Sequence, residues 1–148
     1  MKATWSPSMI NFPKITLQHK DEWNGLVLLA RKNHLTLDNT IFLLALREAE
    51  DGVTGNEFGI KEVHGTNLKT QALWAIKSIL KNETRWYEYI IKTKQIDFVS
   101  FFAYHGGPYY SGWHRHDQKE WVDEMNFFIT EIKKEIENGL SGIDYMGK

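Results

Sequence analysis

The sequence predicts a mainly α fold in a single domain, and three observations predict it. Apolar residues recur at helical spacing through successive stretches of the chain. Capping residues and Gly or Pro punctuate the ends of those stretches. The chain of 148 residues, 42% hydrophobic and 25% charged, suits one ordinary globular domain. At most a short β-hairpin or extended loop is expected, near residues 53–65.

Taken in order, residues 1–20 carry Pro7 and Pro13 and little periodicity. They read as an irregular arm packed through Trp5, Ile10 and Phe12. Asp21 is expected to cap a helix running to about Asn33, with Trp23, Leu26, Val27 and Ala30 on one face. Asp38 or Asn39 caps a second helix to about Asp51, with Phe42, Ala45, Leu46 and Ala49 as its apolar stripe. Gly52 stands in the usual helix-stop position. A Gly-rich segment, residues 52–65, contains "EFGIKEV", which reads as a short strand or an extended loop. Asn67 opens a long helix in which Leu68, Ala72, Ala75, Ile76, Ile79 and Leu80 share a face, running on or kinking towards Ile91. Residues 96–104, "IDFVSFFAY", form a short apolar helix stopped by Gly106, Gly107 and Pro108. A loop rich in Tyr, Trp and His follows. Asp117 caps the last helix, which runs to about Asn138 with Trp121, Val122, Met125, Phe128, Ile129, Ile132 and Ile136 inward. Residues 139–148 read as a loose tail.

Composition excludes several functions. The 18 basic and 19 acidic residues leave a net charge of −1, with no basic excess to drive nucleic-acid binding. The absence of cysteine rules out a disulfide framework and a Cys nucleophile. No apolar run approaches the length that spans a bilayer, so no membrane insertion is expected. The N-terminus lacks an apolar signal-peptide core. That points to cytoplasmic synthesis and to a phage-encoded product released late or carried in the virion. Aromatics make up 14% of the chain, suiting core packing first and a stacking surface second.

The chemistry concentrates in "LREAEDGVTGNEFGIKEV", residues 46–63. It holds Glu48, Glu50, Asp51, Glu57 and Glu62 after an apolar helical run. An acid that donates a proton near neutral pH needs withdrawal from water, and the end of a core-packed helix can supply it. Glu48 and Glu50 lie two residues apart, about 200° around the helix, so only one faces a given cleft. Amphipathicity does not choose between them.

From Leu46 onward the chain resembles the lysozyme-like superfamily, especially soluble lytic transglycosylases and goose-type lysozymes. "GNEFGIKEV" is similar to the family block G-N-x-F-G-L-M-Q-V, and "AYHGGP", residues 103–108, is similar to A-Y-N-A-G-P after an apolar helix. The blocks stand in the family's order, and the resemblance covers roughly residues 38–125. Ile60, Lys61 and Glu62 replace the family's Leu-Met-Gln, and His105 replaces its Asn. The resemblance implies a peptidoglycan-cleaving glycosidase that cuts the MurNAc–GlcNAc β-1,4 bond with one Glu and no cofactor. Aligning "E-D-G" with the family's E-S-G selects Glu50. Aligning "R-E-A" with R-E-S selects Glu48, the runner-up. Phe58, Gly59 and Ile60 match the backbone strip that contacts the N-acetyl group, and Tyr104 the tyrosine near the acid. His105, Tyr109, Tyr110 and Trp113 complete the expected sugar contacts. The expected partner is a peptidoglycan strand, bound by a monomer. A hydrolase would recruit a second acid from Asp51, Glu57, Glu62 or Asp97.

Two other readings stand beside this one. An inactive lysozyme-like module would bind glycan or serve a phage particle structurally. A metal-dependent protein would use His114 and His116 in "GWHRHD", helped by Asp117, His105 or His64. The primary expectation is no metal.

Overall fold

Ten consecutive residues of one helix, 39–48, are buried. A helix apolar on all sides must be enclosed by other elements. The computed structural model describes residues 16–106 and 118–138 and shows that enclosure. Among these residues there are five α-helices: α1 (Trp23–Lys32), α2 (Leu37–Glu50), α3 (Leu68–Lys92), α4 (Phe98–His105) and α5 (Gln118–Asn138). Two 3₁₀ turns, Lys20–Glu22 and Lys61–Val63, complete the order. The arm to residue 15, the 139–148 tail and the Asp117 cap lie outside the described residues.

The central helix is α2. It packs most extensively along α5 and also against α1 and α3, while α4 rests on α5 and α3. One cluster of buried side chains joins all five helices, from Trp23 and Leu26 through Leu43, Leu44 and Leu46 to Met125 and Ile132. Phe42 sits between Phe98 and Phe102, each ring centre 5.0 Å away, and Phe102 stacks on Trp121. The fold is thus mainly helical, as the periodicity predicts. The predicted one-sided stripe on α2 understates its burial, because the whole "TIFLLAL" run is covered.

Helix ends depart from expectation in instructive ways. Asp21 does not cap α1. It lies within a 3₁₀ turn that runs straight into the helix, so His19 and Lys20 carbonyls take the first amides. α2 is capped two to three residues earlier than expected, by Thr36 Oγ1 accepting from the Asn39 amide at 3.1 Å. At its far end Asp51, not Gly52, adopts the left-handed conformation, with φ +48. Asp tolerates that region better than most residues. Gly52 is needed for a different reason: a Cβ there would lie 1.9 Å from the Asn56 carbonyl oxygen. Asn67 caps α3 as expected, accepting from Thr70 N at 2.8 Å. The helix then runs unbroken for 25 residues. Asp97 caps α4 through Ser100 N. No strand forms among the described residues, because the amides of Phe58 and Ile60 bond to the Gln71 side chain instead of a partner strand.

Candidate active site

The last turn of α2 carries three charged side chains with different duties. Glu48 is buried, and both its oxygens are occupied. Oε1 accepts from the Gln18 amide at 2.8 Å and Oε2 from the His19 amide at 3.0 Å. Charge-assisted bonds of this kind hold a carboxylate as an acceptor. Glu48 therefore anchors the segment leading into α1.

Arg47, 4% exposed, is the hub of the corner. Its guanidinium pairs with Glu22 through Nε at 2.7 Å and Nη2 at 3.2 Å. Its Nη1 donates to the carbonyls of Gly52 and Glu57, both at 3.1 Å. One side chain thus ties the 3₁₀ turn, the end of α2 and the Gly-rich loop together. Beside it, His19 Nε2 meets Asp51 Oδ1 at 2.7 Å.

Gln71, fully buried on α3, organises the loop from the other side. Its Oε1 accepts from Phe58 N at 3.0 Å and Ile60 N at 3.3 Å. Its Nε2 donates to the carbonyls of Gly55, Ile60 and Val63 at 3.1–3.3 Å. A single amide supplies donor and acceptor to a loop that has no ladder of its own. This fixes the surroundings of two residues expected to line a sugar cleft. The Phe58 and Ile60 side chains lie in the core, 0% and 2% exposed, and their amides face Gln71. Both N–H groups are thus engaged within the protein.

Gly59 and Glu50 do come together. Gly59 adopts φ +68, and a Cβ there would stand 3.3 Å from Glu50 Oε1. The bare α-carbon leaves room for the carboxyl. Glu50 is half-buried, with Oε2 shut off from solvent. Of the paired candidates, Glu48 is bound into the scaffold and Glu50 sits where the loop closes over the helix end.

The other expected contacts scatter. Tyr104 is exposed on the last turn of α4. His105 stacks on Phe101 and Tyr89, with ring centres 5.1 and 4.9 Å away, on the α3–α4 surface. Arg85 Nη1, 14 residues beyond Gln71 on α3, bonds the His105 carbonyl. At 1.5 Å per residue, that places Arg85 roughly 21 Å along the helix from the loop's anchor. Tyr109, Tyr110, Trp113, His114 and His116 lie outside the described residues. Among the second-acid candidates, Asp97 is a helix cap, Asp51 binds His19, and Glu62 is exposed on the 3₁₀ turn. Glu57 is 4% exposed, and its Oε1 has no hydrogen-bond partner among the described residues. No group of three His, Cys, Asp or Glu residues suited to a metal occurs among them.

Compared with known proteins, the chain matches no family model, no curated protein and no solved structure. Sequence reasoning missed Arg47 and Gln71, yet both leave a trace. Arg47 interrupts the apolar run of α2, and Gln71 falls on the apolar stripe of α3, between Leu68 and Ala75. A polar group at a core position has to be satisfied by something, and here it is loop backbone.

Proposed function

We propose that this chain is a peptidoglycan-cleaving glycosidase of the lytic transglycosylase type, with Glu50 as its single general acid and base. The observation that carries the reading is the division of labour at the end of α2. Glu48 is committed to two backbone amides, whereas Glu50 lies half-buried against the open α-carbon of Gly59. Withdrawal from water favours the protonated form of a carboxyl, the form a leaving-group acid needs. The resemblance of "GNEFGIKEV" and "AYHGGP" to lysozyme-like blocks supports the same site.

In this mechanism Glu50 gives its proton to the glycosidic oxygen as the bond to the muramyl anomeric carbon breaks. A hydroxyl of the same muramyl sugar then attacks that carbon and returns a proton to Glu50. The product is an anhydro sugar, and no water is consumed. A hydrolysed product would call for a second carboxylate, and Glu57 is the buried acid of the same loop.

The test is loss of turbidity of purified cell walls, followed by mass spectrometry of the fragments. Wild-type clearing, lost in Glu50→Gln, with fragments one water lighter than hydrolysed ones, is the expected result. Clearing that survives Glu50→Gln overturns the assignment. Glycan binding by a wild-type chain that clears no wall favours the inactive-module reading.

A further inference from the structure

The outer face of α3 is not an ordinary solvated helix surface. At roughly 3.6 residues per turn, every exposed residue from Lys69 to Lys92 falls within one sector roughly 140° wide. The rest of the circumference buries Ala72, Ala75, Ile76 and Ile79. Gln71 is buried there too, so the outer sector is separate from the loop that approaches Glu50.

The sector is apolar and cationic at once. Trp74, Tyr87 and Ile91 are 38%, 51% and 80% exposed. Half-buried Leu73 and Leu80 share the sector, so large nonpolar side chains recur from Leu73 to Ile91. That run covers roughly 27 Å of helix. Lys69, Lys77, Lys81 and Lys92 stand among them with one acid, Glu88. Even without Lys81 the cations outnumber that acid three to one, in a chain whose net charge is −1. Glu83 falls outside the sector, on its half-buried flank. Beyond the helix the nearest acids in sequence, Glu62 and Asp97, each lie within three residues of a lysine, Lys61 and Lys94.

The two properties together select a partner. A soluble polyanion would meet the lysines and leave Ile91 in water. A bilayer with anionic headgroups takes both, with an apolar boundary for Ile91, a headgroup layer suited to Trp and Tyr, and phosphates for the lysines. Lys77 Nζ lies 5.6 Å from the Trp74 ring centre. A lysine stem laid beside a ring enters such a boundary with its charge on the polar side.

We propose that the outer face of α3 docks the protein on an anionic lipid surface, with Trp74, Tyr87 and Ile91 entering the headgroup layer and Lys69, Lys77 and Lys92 meeting lipid phosphates. The contact is peripheral, and no helix among the described residues is long and apolar enough to cross a membrane. The docking does not depend on Glu50 or on bond cleavage.

The test is co-sedimentation of the full chain with vesicles of phosphatidylcholine, alone or with about one-third phosphatidylglycerol, at low and high salt. Binding to the anionic vesicles is expected to be about tenfold or more tighter than to the neutral ones, and to weaken as salt rises. Lys77→Gln and Ile91→Ser, both at exposed positions, are each expected to weaken it about fivefold. Lys133→Gln, exposed on α5, is expected to leave it unchanged. No binding to anionic vesicles, equal binding to both kinds, undiminished binding by Ile91→Ser, or a loss in Lys133→Gln as large as in Lys77→Gln each overturns the proposal.

Discussion

Replacing Gln71 by leucine keeps most of its volume and removes all five hydrogen bonds to the Gly-rich loop. Three are 3.0–3.1 Å long and two are 3.3 Å, and all but the Val63 bond are buried. A net contribution of about 1 kcal/mol for each of the three shorter bonds gives a loss of ~3 kcal/mol. The cost rises if the orphaned amides of Phe58 and Ile60 stay out of water. It falls if the loop opens and water replaces the side chain. For a domain of this size, ~1 kcal/mol moves the melting temperature by roughly 2–4 °C, so the expected drop is roughly 6–12 °C. Thermal melts of Gln71→Leu measure the global effect. Amide hydrogen exchange at Phe58 and Ile60 measures the local one, and both amides are expected to lose their protection. A melting point within about 2 °C of wild type, with both amides still slow to exchange, would show that Gln71 does not hold the loop. The same variant should clear cell walls poorly, since Gly59 and its approach to Glu50 depend on the loop's path.

Other perturbations separate scaffold from chemistry. Glu48→Gln turns one acceptor into an NH₂ group facing an amide donor, so it should cost ~1–3 kcal/mol in urea unfolding. Glu50→Gln should leave stability within about 1 kcal/mol of wild type while abolishing wall clearing, and the reverse pattern would exchange the two roles. Arg47→Met breaks the Glu22 pair and frees two loop carbonyls. With Glu22 still partly solvated, the loss should fall near the lower end of ~3–5 kcal/mol, read from denaturant midpoints. Gly52→Ala forces a Cβ into the Asn56 carbonyl and should lower the melting temperature more than Gly25→Ala, where nothing lies within 4 Å.

Helix order was legible because it rests on local periodicity. The 3.6-residue repeat and the Asn67 cap place α3, and the clean stripe places α5. Caps were legible only where one side chain competed. Asp21 and Asp38 are good caps by residue type, but backbone carbonyls and Thr36 reached the amides first. At "EFGIKEV" the local signal suggested a strand because the residue types suit one. Whether its amides met another strand or a side chain depended on Gln71, 13 residues away from Phe58.

The candidate acids divide the same way. Sequence by itself confined the candidate acid to the end of α2, where amphipathicity did not choose between Glu48 and Glu50 and the family resemblance put Glu50 ahead. It also set the mainly helical class, since periodicity and capping are short-range properties. Only the tertiary structure showed what surrounds each acid, the amides of Gln18 and His19 on Glu48 and the bare α-carbon of Gly59 beside Glu50. Those contacts join residues up to 30 apart in the chain, and no local pattern encodes which acid a distant amide will meet.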